Sequence, residues 1–97
     1  MSNANGLSDA QAERLDVLAE ELAEAIVEIS KVKRHGYQSS NPLSAGSATN
    51  KQNLEIELGN VVRAVNRLVE AGDLANWAIT QAADAKYAEG NRWMHFQ

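Results

Sequence analysis

Glu21, Glu24 and Glu28 recur at intervals of three and four residues, and far downstream Glu57 and Asn60 stand three apart. On a helix, residues at such spacings share a face, so each set projects its oxygens to one side. Two neighbouring helices carrying them would bring several oxygen-bearing side chains together. Two unit charges about 4 Å apart repel by about 4 kcal/mol at an effective dielectric near 20, so such a gathering calls for a counter-charge. A divalent cation is the simplest one. The chain has no cysteine, and its two histidines, His35 and His95, lack ligand spacing. An all-oxygen donor set suits Mg²⁺, with Mn²⁺ as a substitute, far better than Zn²⁺. Such an ion can activate water and neutralise phosphate charge for in-line attack.

The elements that must hold these residues are readable from apolar periodicity. Ser8 with Gln11 forms a capping-box pattern, and a first helix is expected from about Asp9 to Arg34. Leu15, Leu18, Leu22, Ala25 or Ile26, Ile29 and Val32 mark its expected buried stripe, and Gly36 is the expected left-handed cap. A second helix is expected from Thr49 or Asn50 to Ala71, on a stripe of Leu54, Leu58, Val61, Val65 and Leu68. Asp73 reads as the N-cap of a shorter third helix, Leu74 to about Glu89, with a weaker face that includes Trp77. The acids lie at the edge of the apolar stripes, where a cleft would open. Between the first two helices, residues 37–49 are turn-rich and carry no apolar period, a candidate lid or a mobile linker.

With 97 residues, the chain suffices for one domain, expected over 9–97 after a flexible lead of residues 1–8. Hydrophobic residues make up 44% and aromatics only 5%, with a single proline, a balance that favours an all-α fold. The expected architecture is a bundle of two long helices and a shorter third. Two long apolar stripes exceed what one copy can cover, so a four-helix-type core is expected to be completed in a homo-oligomer, dimer or tetramer. The net charge of −4 argues against nucleic acid as a principal partner. No apolar run approaches a membrane span, and a signal-peptide pattern is lacking, so the expected setting is cytoplasmic.

Glu20-Glu21-Leu22-Ala23-Glu24 followed by Glu57-Leu58-Gly59-Asn60 resembles the paired acidic signature of the MazG-like all-α nucleoside triphosphate pyrophosphohydrolases. Lys31-Val32-Lys33-Arg34-His35-Gly36 after the first motif and Leu54-Glu55-Ile56 before Glu57 look like the small phage and bacterial members. Leu68-Val69-Glu70-Ala71-Gly72-Asp73-Leu74 continues the likeness, which spans about residues 12–95. The resemblance implies hydrolysis of a nucleoside triphosphate, usually a deoxynucleotide, to the monophosphate and pyrophosphate, in nucleotide-pool control. For a phage-encoded chain the setting would be the host cytoplasm, and dGTP is an attractive candidate substrate.

By position, the resemblance implies Glu21, Glu24 and Glu57 as metal ligands, with Asn60 in the place of the final acid. It implies that Glu20 orients the attacking water or holds a second ion, and Glu20 and Glu21 are the candidate catalytic pair. Asn60 departs from the pattern, because an amide oxygen can coordinate a hard cation but brings no charge. Either the substrate phosphates or another acid, Glu28 or Glu55, compensate, or the chain is a weakened nucleotide- or metal-binding relative. A structural bundle with a solvated acidic face is the remaining alternative.

Arg34 is the best phosphate candidate, standing where the polar loop begins and carrying a bidentate fork. Lys33 is a second, although both also complement a helix C-terminus. Lys86, Asn91 and Arg92 resemble downstream positions that contact triphosphate in such proteins, and exposed solubility residues explain them equally well. Trp77 and Trp93 read as packing residues before base-stacking ones.

Overall fold

Ser8 and Thr49 each start a helix with the same device. In the computed structural model, which describes residues 4–43, 46–90 and 94–96, the Ser8 hydroxyl accepts from the Gln11 N–H at 3.1 Å. The Gln11 side chain accepts in return from the Ser8 N–H at 2.8 Å. Thr49 and Gln52 repeat the pair at 3.2 and 2.9 Å. Caps of this type typically stabilise a helix by about 1 kcal/mol. They open α1 (Asp9–His35) and α2 (Asn50–Glu70), followed by α3 (Asn76–Glu89).

α1 stops at Gly36, whose φ of 88° suits glycine and whose N–H donates to the Val32 carbonyl. Lys33, Arg34 and His35 occupy its last turn. The first and last elements of the α1–α2 pair meet at both ends. The Asn50 side chain donates to the Gly36 carbonyl at 3.1 Å, and Arg14 Nε donates to Asp73 Oδ2 at 2.7 Å. α1 and α2 therefore run antiparallel, packed along their lengths.

The polar connection is anchored at its base. The Asn50 N–H donates to Ser39 and the Lys51 N–H to Tyr37, and Ser40 faces Thr49 in an isolated antiparallel bridge. Asn41, Pro42 and Leu43 lie exposed beyond that anchor.

Two expectations are corrected. Asp73 does not cap α3, which begins at Asn76 with Ala75 as a cap that makes no side-chain bond. Arg14 and Gln11 of α1 take up the Asp73 carboxylate instead, at 2.7 to 3.4 Å. The apolar stripes, moreover, enter the interior of the hairpin only in part. Leu22 remains 46% exposed and Ile26 64%, and Leu15, Ile29, Leu58 and Val62 are also exposed. The buried seam keeps Ala25 and Leu68 of those stripes and adds Ala64, together with Asn50 and Glu57.

α3 is exposed at every position, with Trp77 at 72%, so Trp77 is not a packing residue within one copy. The radius of gyration, 17.2 Å, exceeds the roughly 13 Å of a compact domain near 100 residues. The chain is all-α among its described residues, yet it does not close a core on itself. Among the described residues, no helix is long and apolar enough to cross a membrane.

Candidate metal centre

Small Ala25 and Ala64 are buried in the seam of the two long helices, and acids stand along the same stretch of it. Glu21 and Glu24 from α1 and Glu57 from α2 each bring one carboxylate oxygen within 4.8 Å of the others. Glu57 is buried, at 9% exposure, Glu21 is intermediate and Glu24 faces solvent. Three carboxylates thus converge from solvent to the seam.

Their hydrogen bonding is incomplete. Oε1 of Glu57 and Oε2 of both Glu21 and Glu28 are buried without a partner. Glu57 Oε2 accepts from the Asn60 amide at 3.4 Å, and Glu28 Oε1 accepts from Lys31 Nζ at 3.3 Å. Unsatisfied buried oxygens of this kind are costly, because nothing replaces the water they have lost.

Electrostatics records the same tension. Contact with the Glu21 carboxyl, then burial and the charge of Glu21, push Glu57 above the ordinary glutamate range, while Asn60 and Glu24 oppose the shift. The charge of Glu57 pushes Glu24 up first, followed by burial and by Glu20. Both shifts have the same origin, negative charge gathered where burial weakens solvation. An all-carboxylate donor set with orphaned oxygens fits a hard divalent ion such as Mg²⁺ or Mn²⁺.

The remaining candidates divide by position. Glu20 is exposed and outside the triplet, although its charge reaches Glu24. Asn60 donates its amide nitrogen to Glu57 Oε2 at 3.4 Å and so stands beside the triplet. Arg34 lines a groove of about 680 Å³ at the closed end of the hairpin, with Lys31, His35, Asn41, Asn50 and Asn53. Lys33 is exposed and does not line it. Lys86 pairs with Glu89 at 3.4 Å on the solvated α3 and lines neither this groove nor the smaller cleft described next. Asn91, Arg92 and Trp93 lie outside the described residues.

Sequence reading passed over two arginines. A cleft of about 200 Å³ on the opposite flank of the acids is lined by Val17, Glu21, Asn60, Arg63, Ala64 and Arg67. The available signal was spacing: Arg63 follows Asn60 by three residues, and Arg67 stands one further turn along. Asn50, a buried donor that closes the hairpin, was likewise missed, because its position beside the Thr49 cap looked sufficient to explain it.

No family model matches the chain, and no curated protein or solved structure matches it at a significant level.

Proposed function

We propose that this chain is a divalent-cation-dependent nucleoside triphosphate pyrophosphohydrolase of the MazG-like kind. The carrying observation is the buried Glu57, with an unpartnered oxygen, facing Glu21 and Glu24 across the helix seam. Glu21, Glu24 and Glu57 would hold the ion, which supplies Lewis-acid charge to the phosphates and makes water more acidic. Mg²⁺ is the natural choice for such oxygens, and Mn²⁺ substitutes.

The reaction asks little covalent chemistry of the protein. A water oxygen adds to the α-phosphorus, and the bond to the α–β bridging oxygen breaks, its electron pair leaving on pyrophosphate. The water's proton passes to a carboxylate, for which exposed Glu20 is the candidate, and then to solvent. Lys31 and Arg34 supply positive charge from the larger groove, whose hydroxyl and amide lining suits a nucleoside. The exposed stripe around Leu22, Ile26 and Val62 supports a homo-oligomer in which a second copy completes a four-helix core.

Asn60 favours one rival, a relative that binds metal and nucleotide with weakened turnover, since its amide adds no charge and turns its nitrogen inward. Pyrophosphate release over the common NTPs and dNTPs, with and without Mg²⁺, tests the proposal. Metal-dependent release of pyrophosphate from at least one of them is expected. Metal uptake without release would select the binding relative, and no uptake would leave a structural bundle.

A further inference from the structure

We propose that Arg63 and Arg67 form an anion subsite beside the carboxylate cluster, where they hold the two phosphates that depart as pyrophosphate. This rests on the triphosphate-hydrolase reading above and gives the bound substrate a direction along the hairpin. Both arginines line the same cleft as Glu21, and Glu21 is also a member of the carboxylate triplet. The cleft therefore opens directly onto the candidate metal centre. Residues 63 and 67 stand one turn apart on the same face of α2. Asn60 and Glu21 line that cleft with them.

Neither arginine serves the acids themselves. Glu21 Oε2 stays buried without a partner although both line its cleft. Arg63 instead meets Glu70 at 3.0 Å, in a pair more than half exposed on both sides, a type of contact worth little. Arg67 makes no ion pair among the described residues. Its place in the last turn of α2 complements the helix dipole, but that account does not reach Arg63, which lies outside the last turn. What the pair offers is two planar forks, the geometry that phosphate oxygens accept in bidentate fashion.

The two flanks of the acids also differ in chemistry. The larger groove adds hydroxyls and several amides to its cations, whereas the smaller cleft presents guanidinium and carboxylate with one amide, Asn60. A base and sugar suit the first, and a compact, highly charged end suits the second. The scissile α–β bond would then lie over Glu21, Glu24 and Glu57, between them.

The test is calorimetric titration of the full chain with inorganic pyrophosphate in saturating Mg²⁺, beside Mn²⁺ binding followed by electron paramagnetic resonance. In the double variant Arg63→Gln, Arg67→Gln, pyrophosphate affinity should fall at least about ten-fold. Mn²⁺ affinity should hold or tighten up to about two-fold, since two positive charges near the ion are gone. A generally damaged fold would weaken both together, so loss of pyrophosphate binding without loss of Mn²⁺ binding is diagnostic. Affinity for a deoxynucleoside monophosphate should hold, and Arg67→Lys should keep part of the pyrophosphate binding. Unchanged pyrophosphate affinity in the double variant, with Mn²⁺ uptake intact, overturns the subsite and leaves the metal centre standing. A wild-type chain that takes up no Mn²⁺ overturns the metal centre first, and the subsite with it.

Discussion

Glu57 of α2 meets Glu21 of α1 across the helix seam, oxygen to oxygen within 4.8 Å, and neither makes an ion pair among the described residues. Along the same seam the buried hydrophobic residues are Ala25, Ala64 and Leu68, two of them small. The seam thus gives up hydrocarbon burial at its centre in order to hold acids. That arrangement makes sense when a ligand repays it.

The first consequence is a pH dependence whose sign depends on metal. Glu57 and Glu24 both sit above the ordinary glutamate value, about 4.3. Metal-free folded protein therefore binds more protons than unfolded chain over that window. Its stability is fullest below the unfolded value and declines as pH rises through the raised ones. A bound cation needs the deprotonated acids, so its stabilisation should grow over the same interval. Thermal melts from about pH 4.5 to about pH 7.5, in chelator and in Mg²⁺, should diverge as pH rises. A gap that stays constant across the range would reject the cluster as a metal centre.

Glu57→Gln isolates the buried charge. The amide keeps the shape of the side chain, so metal-free protein should melt higher than wild type at neutral pH. Metal-dependent turnover should fall by roughly a hundred-fold or more, the scale of losing one preorganised electrostatic group. Melting and pyrophosphate release on the same sample check both signs at once. A variant that is destabilised without chelatable metal present would mean that Glu57 is a structural acid.

Asn60→Asp tests the departure from the acidic signature. It adds a charge next to Glu57 and removes the amide donor that Glu57 now uses at 3.4 Å. Mn²⁺ affinity should tighten about ten-fold, equivalent to about 1.4 kcal/mol, and pyrophosphate release should quicken. Metal-free stability should drop. If Mn²⁺ affinity is indifferent to the change, position 60 lies outside the coordination sphere.

How far the sequence could be read follows from what each signal measures. Ser8 with Gln11 and Gly36 act through bonds spanning three or four residues, so local pattern sufficed to bound α1. The spacing of Glu21, Glu24 and Glu57 likewise put the acids on facing sides of two helices. Apolar periodicity reports which face shuns water, but not which partner covers it. Ala25 and Leu68 were therefore read correctly as interior, whereas Leu22 and Ile26 looked interior and stayed exposed, and Ala64 and Glu57 filled the seam. Asp73 misled for a related reason. Its cap-like position ahead of α3 is local, whereas Arg14, which takes its carboxylate, lies 59 residues away. Arg63 and Arg67 were silent because arginines on a helix normally need no explanation.

The Arg14–Asp73 pair should govern the acid limb of stability. Hydrogen bonding to Arg14 holds the Asp73 carboxyl below the ordinary aspartate range, with Gln11 assisting against the cost of burial. A depressed value contributes stability that is complete above the unfolded value, about 3.9, and is lost as pH falls through the lowered one. Asp73→Asn should lower the melting temperature at neutral pH and flatten the loss of stability below about pH 4. Since this pair fastens the start of α1 to the turn after α2, amide exchange should quicken most at residues 9–14. Equal acid limbs in the two proteins would show the bridge to be idle.

Leu22 and Ile26 carry the last prediction, because water is a poor partner for both. With Leu15, Ile29, Leu58 and Val62 also exposed, the hairpin offers an apolar surface on two helices that α3 does not cover. Contiguous exposure of that kind marks an interface, and a second copy presents the same stripe for isologous pairing. Light scattering should report a dimer or tetramer. Leu22→Glu with Ile26→Glu would bury two uncompensated charges in such an interface and should yield monomers of lowered melting temperature, while Glu21, Glu24 and Glu57 keep their chemistry. If wild type scatters as a monomer at all accessible concentrations, the stripes serve something other than self-association. If the double glutamate variant stays oligomeric, the interface lies on another face.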